Sequence, residues 1–167
     1  MTSLKALKLT LPVGLAALVL AVTGSMSTAS ATTYWVYKNS YEGNCLTAST
    51  VTDNVWSGSC DQSVGTYWFW GSETWYDVST QRTYRRLVSR GTGDCLTTDQ
   101  KTNTNAVWMS PCGGGNGYQF WNADYDELRN LDGDELRTSA NGDAVYSTPW
   151  GQNGIEVGRW TWTGTHS

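Results

Sequence analysis

The chain has 167 residues, and its 15 acidic residues outnumber its 11 basic ones, which gives a net charge of −4. This length is typical of a single domain, and the negative charge repels the phosphate backbone of nucleic acids. The densest group of positive charges, Arg82, Arg85, Arg86 and Arg90, is interpreted as a solvated strand and turn. We therefore expect no nucleic-acid partner.

The N-terminal segment has the pattern of a secretory signal peptide. Lys5 and Lys8 precede an apolar run of 14 residues, 9–22, and Ala29-Ser30-Ala31 forms a small-residue cleavage site. A membrane span needs about 20 apolar residues, so this run is short for an anchor. We expect residues 1–31 to be removed and residues 32–167 to be secreted as one extracellular domain without a membrane span. The exported part then carries nine basic and 15 acidic residues, a net charge of −6.

Residues 32–167 contain three copies of one sequence repeat, approximately at 32–82, 83–126 and 127–167. The opening motifs are Asn44-Cys45-Leu46-Thr47, Asp94-Cys95-Leu96-Thr97 and Asp134-Glu135-Leu136-Arg137. The middle motifs begin at Val55, Val107 and Val145, and the closing triplets are Trp68-Phe69-Trp70, Gln119-Phe120-Trp121 and Trp160-Thr161-Trp162. Three landmarks in the same order, three times, indicate an internal repeat.

The composition of the chain favours strands over helices. Gly occurs 18 times and Trp 10 times, and no window shows a sustained apolar period of 3.6 residues. Short runs such as 34–37 and 107–109 alternate with turn clusters rich in Gly and Asn. We expect about twelve short strands, which can remove their exposed edges by closing into a barrel.

The four cysteines lie in the exported part, where disulfides persist, and they allow three connectivities. The third copy has lost both cysteines together, to Glu135 and Trp150. Paired loss predicts the disulfides Cys45–Cys60 and Cys95–Cys112, each contributing about 3 kcal/mol. The spacings contain no CxxC pair and His166 is the sole histidine, so we expect neither a metal site nor a cofactor.

The copies are unevenly spaced. Trp70, Trp121 and Trp162, which we expect in the core, are 51 and then 41 residues apart. About ten residues are therefore inserted after Trp70, within 71–84. The favoured interpretation is a longer hairpin, and the alternative is a functional loop that presents Trp75 and Tyr76 to a protein partner.

The repeat resembles that of the ricin B-type lectins, whose unit opens on Cys-Leu, has a second cysteine one short loop later and closes on a Gln-x-Trp (QxW) triplet. Copy two matches most fully, with Cys95-Leu96, Cys112 and Gln119-Phe120-Trp121, whereas Trp68 and Trp160 replace the glutamine in the other copies. The resemblance covers residues 32–167 and is to small, secreted, bacterial-type single-domain members. It implies an all-β fold, the β-trefoil, with a six-stranded barrel, three capping hairpins and one shallow carbohydrate pocket possible in each copy.

A carbohydrate pocket needs an aromatic face for the sugar ring and a carboxylate or amide that selects its hydroxyl groups. Side chains alternate along a strand, so inward Val55, Val107 and Val145 would turn Trp56, Trp108 and Tyr146 outward. Neighbouring loops could instead cover Trp56 and Trp108, and Asn or Asp beside Gly could be turn formers. The candidate residues are Asp99, Trp108, Tyr118 and Gln119 in copy two, Asp53, Trp56 and Tyr67 in copy one, and Asn141, Asp143 and Tyr146 in copy three.

The chain departs from the family at its usual galactose site. Galactose-binding members carry Asp two residues after the first cysteine and an aromatic residue two positions before the second. This chain has Thr47, Thr97 and Arg137 at the first position, and Gly58, Ser110 and Thr148 at the second. We therefore expect a displaced or different site, and no specificity for galactose carries over.

Catalytic motifs are missing from the sequence, which has no GxSxG, HExxH or phosphate-binding glycine pattern. The acidic cluster between 124 and 135 matches no calcium loop and is interpreted as a solvated turn. We expect a secreted, non-catalytic, carbohydrate-binding protein. The alternative is a secreted protein-binding trefoil such as a protease inhibitor.

Overall fold

The computed structural model of the chain describes residues 31–114, 117–141, 143–152 and 154–166. The predicted signal peptide lies outside these residues apart from Ala31, so it stays a prediction. Within the described ranges, no helix has the length and apolarity that crossing a membrane would need. The helical segments there are single 3₁₀ turns, at Val64–Thr66, Gly117–Gln119, Asp124–Asp126 and Val157–Arg159.

In the part of the chain that the structure describes, twelve strands follow one another in three groups of four, as the repeat predicts. The first group is β1 (Trp35–Asn39), β2 (Cys45–Ala48), β3 (Val55–Gly58) and β4 (Trp68–Asp77). The second is β5 (Arg82–Ser89), β6 (Cys95–Thr98), β7 (Asn105–Ser110) and β8 (Phe120–Asn122). The third is β9 (Arg129–Asn130), β10 (Asp134–Thr138), β11 (Val145–Pro149) and β12 (Trp162–His166).

The first and last strands of each group form a closed barrel. β1 pairs with both β12 and β4, and the pairing then runs through β5 and β8 to β9. A bridge between Glu127 and Thr161 closes the ring. The middle strands form the hairpins β2–β3, β6–β7 and β10–β11. A six-stranded barrel with three hairpins is a β-trefoil, so the predicted fold is confirmed.

The three hairpins meet in a threefold cap. Trp56 pairs with Ala144, Trp108 with Asn54, and Tyr146 with Ala106. Each aromatic residue thus forms a β-bridge with the residue that precedes the core-facing valine of another copy. Val107 and Val145 are buried, and Val55 packs against the same core. The predicted alternation along these strands, with valine inward and the aromatic residue outward, is confirmed.

Three tryptophans join the barrel to the cap in the same way. The fully buried indoles of Trp68, Trp121 and Trp162 donate from Nε1 to the carbonyl oxygens of Leu46, Leu96 and Leu136, at 2.9, 2.8 and 3.0 Å. The equivalent residue in copy one is therefore Trp68, and our alignment of Trp70 with Trp121 was wrong by two positions. Trp70 is only partly buried and packs against the edge of the core.

The error has a simple physical origin. Copy one contains Trp68-Phe69-Trp70, two tryptophans on the same face of one strand, and a sequence pattern does not distinguish the one that reaches the cap. The residue in the position of the family's glutamine is then Thr66, whose hydroxyl donates to the carbonyl of Ser63 at 2.8 Å. Counted from Trp68, the inserted segment has twelve residues rather than ten.

The insertion is a longer hairpin, as the favoured interpretation predicts. β4 and β5 extend past the barrel and pair from Thr74–Arg85 to Asp77–Arg82, after a register shift between Trp70 and Thr74. Near its tip, Trp75 and Tyr76 are 53% and 58% exposed.

Both predicted disulfides are present, Cys45–Cys60 and Cys95–Cys112. In copy three the two vacated positions carry different interactions. The guanidinium of Arg129 lies over the ring of Trp150, 4.8 Å from its centroid. Glu135 is 4% exposed, and burial, reinforced by the charge of Glu127, raises its pKa to about 7.

This raised pKa predicts a pH-dependent stability. The folded chain binds a proton at Glu135 between pH 4.5, the ordinary pKa of the residue, and pH 7, so the free energy of unfolding falls as the pH rises through that window. Glu135→Gln is expected to remove this fall and to gain more than about 1 kcal/mol at pH 8, since one pKa unit corresponds to about 1.4 kcal/mol. Urea denaturation at pH 4.5 and pH 8 measures the difference. Glu127→Gln, which removes only one cause of the shift, should give a smaller gain, and equal stability of Glu135→Gln and wild type at pH 8 would contradict the assignment.

Candidate functional site

The four residues proposed for copy two lie around one depression. Asp99, Trp108, Tyr118 and Gln119 line an open cavity of about 530 Å³. They come from the end of β6, from β7 and from the 3₁₀ turn before β8, and the hairpin register brings these segments together. We call this depression the copy-two cavity. It also includes Thr97, Thr98, Gln100, Lys101, Ser110 and Gly113.

The floor of the copy-two cavity is a hydrogen-bonded network centred on Gln119. Its buried amide donates to Ser110 Oγ at 2.8 Å, to Thr97 Oγ1 at 3.2 Å and to the carbonyl of Pro111 at 3.1 Å. Its Oε1 accepts from the backbone N–H of Gly113 at 3.1 Å. Gln119 therefore uses its own hydrogen-bonding capacity inside the protein and positions the loop that forms one wall.

The walls of the cavity are aromatic on one side and charged on another. Trp108 stands opposite Thr97 in the β6–β7 register and is half-buried, as is Tyr118. The carboxylate of Asp99 accepts from Lys101 Nζ at 2.7 Å, with 21% and 76% of the two side chains exposed. Hydrogen bonding to Asp99 raises the pKa of Lys101. The cavity thus offers an apolar ring face beside an anchored carboxylate and an ammonium group, all in contact with solvent.

Copy one does not assemble the same depression. The indole of Trp56 folds back over its own strand, where a Cβ at Gly58 would lie 2.6 Å from Nε1. Because Gly58 has no side chain, the Trp56 ring occupies the space that corresponds to the Ser110 side chain in copy two. Tyr67 lines a separate cavity with Tyr34 and carries the guanidinium of Arg90 at 5.3 Å. Asp53 is exposed, and its carbonyl accepts from the N–H of Met109 at 2.8 Å.

Copy three is filled by arginines. Arg137 is 1% exposed and donates to Gln152 Oε1 at 2.8 Å. The guanidinium groups of Arg137 and Arg159 lie 6.0 and 5.9 Å from the ring centroid of Tyr146, whose hydroxyl also accepts from Arg159. Asn141 and Asp143 lie in the exposed turn before β11. The aromatic ring of copy three is therefore engaged by cationic side chains of the protein itself.

Comparisons with solved structures agree on the fold. The chain is similar to a designed threefold-symmetric protein, ThreeFoil (18% identity, TM-score 0.58), over 78% of this chain and 96% of that one. It is similar to the C-half of the earthworm R-type lectin, solved with GalNAc (12% identity, TM-score 0.56, 81% and 99% covered). It is also similar to a Culex salivary protein of the Cysteine and Tryptophan-Rich family (18% identity, TM-score 0.55, 84% and 97% covered). No family model and no curated protein matches the sequence.

Sequence reasoning missed Thr97, Ser110 and Lys101, which line the copy-two cavity. The signal for Ser110 was available, because the equivalent positions hold Gly58 and Thr148, and only copy two combines a serine there with Gln119. Lys101 had no counterpart in the repeat pattern and could be placed only by its distance to Asp99. Among the described residues, no three His, Cys, Asp or Glu side chains are grouped as metal ligands.

Proposed function

We propose that the protein is a secreted, non-catalytic carbohydrate-binding protein whose copy-two cavity holds a sugar ring. The observation that carries this proposal is the convergence of Asp99, Trp108 and Tyr118 on one open cavity above the Gln119 network. The apolar C–H face of a pyranose packs on the Trp108 indole, and Asp99 and Lys101 hydrogen-bond to its hydroxyl groups. The earthworm lectin with a similar fold was solved with GalNAc, which supports the ligand class and leaves the choice of sugar open.

The retention of the Trp108→Ala variant on glycans tests the proposal. We expect the variant to bind at least about tenfold more weakly, because it loses both the stacking surface and its buried area. A glycan array and a pull-down on insoluble polysaccharides with residues 32–167 measure this loss. Trp56→Ala is the matched control, since Trp56 occupies the equivalent position over Gly58, and it should bind like wild type. Absence of retention on every glycan would overturn the function, and wild-type retention by Trp108→Ala would overturn the site.

A second candidate function rests on the extended β4–β5 hairpin. Trp75 and Tyr76 are more than half exposed there, and exposed aromatic residues often anchor protein partners. A protein-binding trefoil such as a protease inhibitor would use residues 71–84 of this hairpin. A Trp75→Ala/Tyr76→Ala variant separates the two functions, because it leaves glycan retention unchanged if the copy-two cavity is the site. Loss of glycan retention in this variant would transfer the site to the hairpin.

A further inference from the structure

The end of the barrel opposite the hairpin cap contains a second cavity, of about 310 Å³. β1 meets the first hairpin through Lys38 and Cys45, so Tyr37 and Trp35 lie progressively farther from the cap. Along β4, Trp70 lies farther from the cap than Trp68. Along β5, Arg85 lies farther from the cap than Leu87. We call this the barrel-mouth cavity. It shares no residue with the copy-two cavity, and its remaining lining residues are Thr83, Trp121, Asn122, Ala123, Asp124, Asp126 and Gly164.

The deep wall of the barrel-mouth cavity is aromatic. The rings of Trp35 and Tyr37 are stacked with centroids 6.3 Å apart, and Trp70 meets Tyr37 edge-on at 6.3 Å. Tyr37 is 1% exposed, and its hydroxyl oxygen makes no hydrogen bond of normal geometry among the described residues. Burial raises the pKa of Tyr37, although the nearby Trp70 side chain lowers it to a smaller extent, so this hydroxyl stays protonated. A buried polar group without a well-formed hydrogen bond is costly, and a ligand that enters the cavity and displaces the rings covering this oxygen would complete the bond.

The outer wall presents polar groups of both signs. Asn122 donates to Asp124 Oδ2 at 2.9 Å and to the carbonyl of Thr83 at 2.8 Å, which fixes the Asp124 carboxylate at the rim. Asp126 also lines the cavity, and its left-handed backbone, with φ of 58°, is a conformation that Asp adopts more readily than most other residues. Arg85 lines the same cavity as these carboxylates, and within the described ranges none of the three is in a salt bridge.

We propose that the barrel-mouth cavity is a second binding site, which takes one ring of a neutral polyhydroxylated ligand, the terminal unit of a glycan. Two carboxylates and the guanidinium of Arg85 line the cavity, and Arg82 lies just outside it, with its guanidinium 5.1 Å from the ring of Tyr125. The near-neutral rim therefore favours no net charge on the ligand. The hydroxyl groups of a sugar can both donate to the carboxylates and bond to Tyr37, while its C–H face packs on the aromatic wall. The identification of the ligand as a sugar rests on the proposed carbohydrate-binding function. The existence of the cavity does not depend on that function.

Indole N–H resonances can report on the two cavities separately. Two-dimensional ¹H–¹⁵N spectra of residues 32–167 would be recorded with methyl glycosides of galactose, glucose, mannose and N-acetylglucosamine. Tetramethylammonium chloride would be added separately as a cationic ligand, because an aromatic wall can also bind cations. Trp70→Phe and Trp108→Phe assign the two reporter resonances. We expect at least one glycoside to shift the Trp70 resonance in wild type and equally in Trp108→Ala.

Tyr37→Phe distinguishes binding from packing. The variant loses a hydroxyl that makes no well-formed hydrogen bond within the protein, so its free energy of unfolding should be nearly unchanged or higher. Its affinity at the Trp70 reporter should fall by about 3- to 10-fold, the effect of one hydrogen bond, with the Trp108 response intact. A Trp108 shift without a Trp70 shift would overturn this inference and leave the proposed function standing. A Trp70 shift with tetramethylammonium alone would overturn the ligand class, and unchanged affinity in Tyr37→Phe would overturn the role of the hydroxyl.

Discussion

Trp68→Ala is expected to lower the free energy of unfolding by about 3–5 kcal/mol, the usual cost of deleting a large buried aromatic side chain. The indole of Trp68 is completely buried, and it also donates to the Leu46 carbonyl at 2.9 Å. Its removal therefore leaves a cavity between barrel and cap and a carbonyl oxygen without its partner. Chemical denaturation followed by far-ultraviolet circular dichroism measures the loss.

Trp70→Ala is the matched control, since it removes the same side chain two positions along the same strand. Trp70 is only partly buried, so this variant should lose less than half as much stability as Trp68→Ala. The reverse order would mean that Trp70 is the structural equivalent of Trp121 and Trp162. If Trp68→Ala does not fold, Trp68→Phe serves in its place. It keeps most of the ring but removes the N–H donor, and it should cost about 1–3 kcal/mol.

The fold could be predicted from sequence because the three copies share the residues that build it. The inward valines and the cap aromatics recur at matching positions in all three copies and the paired cysteines in two, and a repeat of this kind constrains the whole architecture. The misalignment of Trp70 shows where such reasoning stops. Both Trp68 and Trp70 satisfy the pattern, and only the hydrogen bond to Leu46 identifies the residue that joins barrel and cap.

The candidate site was less accessible because it depends on how the copies differ. Trp56 and Trp108 are equivalent in the repeat, yet Gly58 allows one indole to lie over its strand, whereas Ser110 and Gln119 leave an open cavity beside the other. Such a difference depends on the volumes of individual side chains, which the repeat pattern does not reveal. The barrel-mouth cavity was invisible for a related reason, because its lining residues, among them Trp35, Arg85 and Gly164, come from three different copies.

Removal of the Cys95–Cys112 disulfide should affect both stability and binding. The disulfide closes a loop with a sequence separation of 17 residues, and the lost constraint on the unfolded chain corresponds to about 3 kcal/mol. In the folded protein, Cys112 lies between Pro111 and Gly113, and both of these residues hydrogen-bond to Gln119 through their backbones. The Cys95→Ala/Cys112→Ala variant should therefore also weaken glycan retention. Without the disulfide, the loop that forms one wall of the copy-two cavity is held only by its hydrogen bonds to Gln119.

Cys45→Ala/Cys60→Ala separates the two effects. Its loop has a similar sequence separation of 15 residues, so the loss of stability should again be about 3 kcal/mol. Among the described residues, the copy-one loop makes no hydrogen bond to Gln119, and glycan retention measured well below the unfolding temperature should stay at the wild-type level. Equal loss of retention in both variants would show that the copy-two cavity depends on global stability alone. Selective loss in Cys95→Ala/Cys112→Ala would show that a local attachment, and not the fold as a whole, keeps the cavity in its binding geometry.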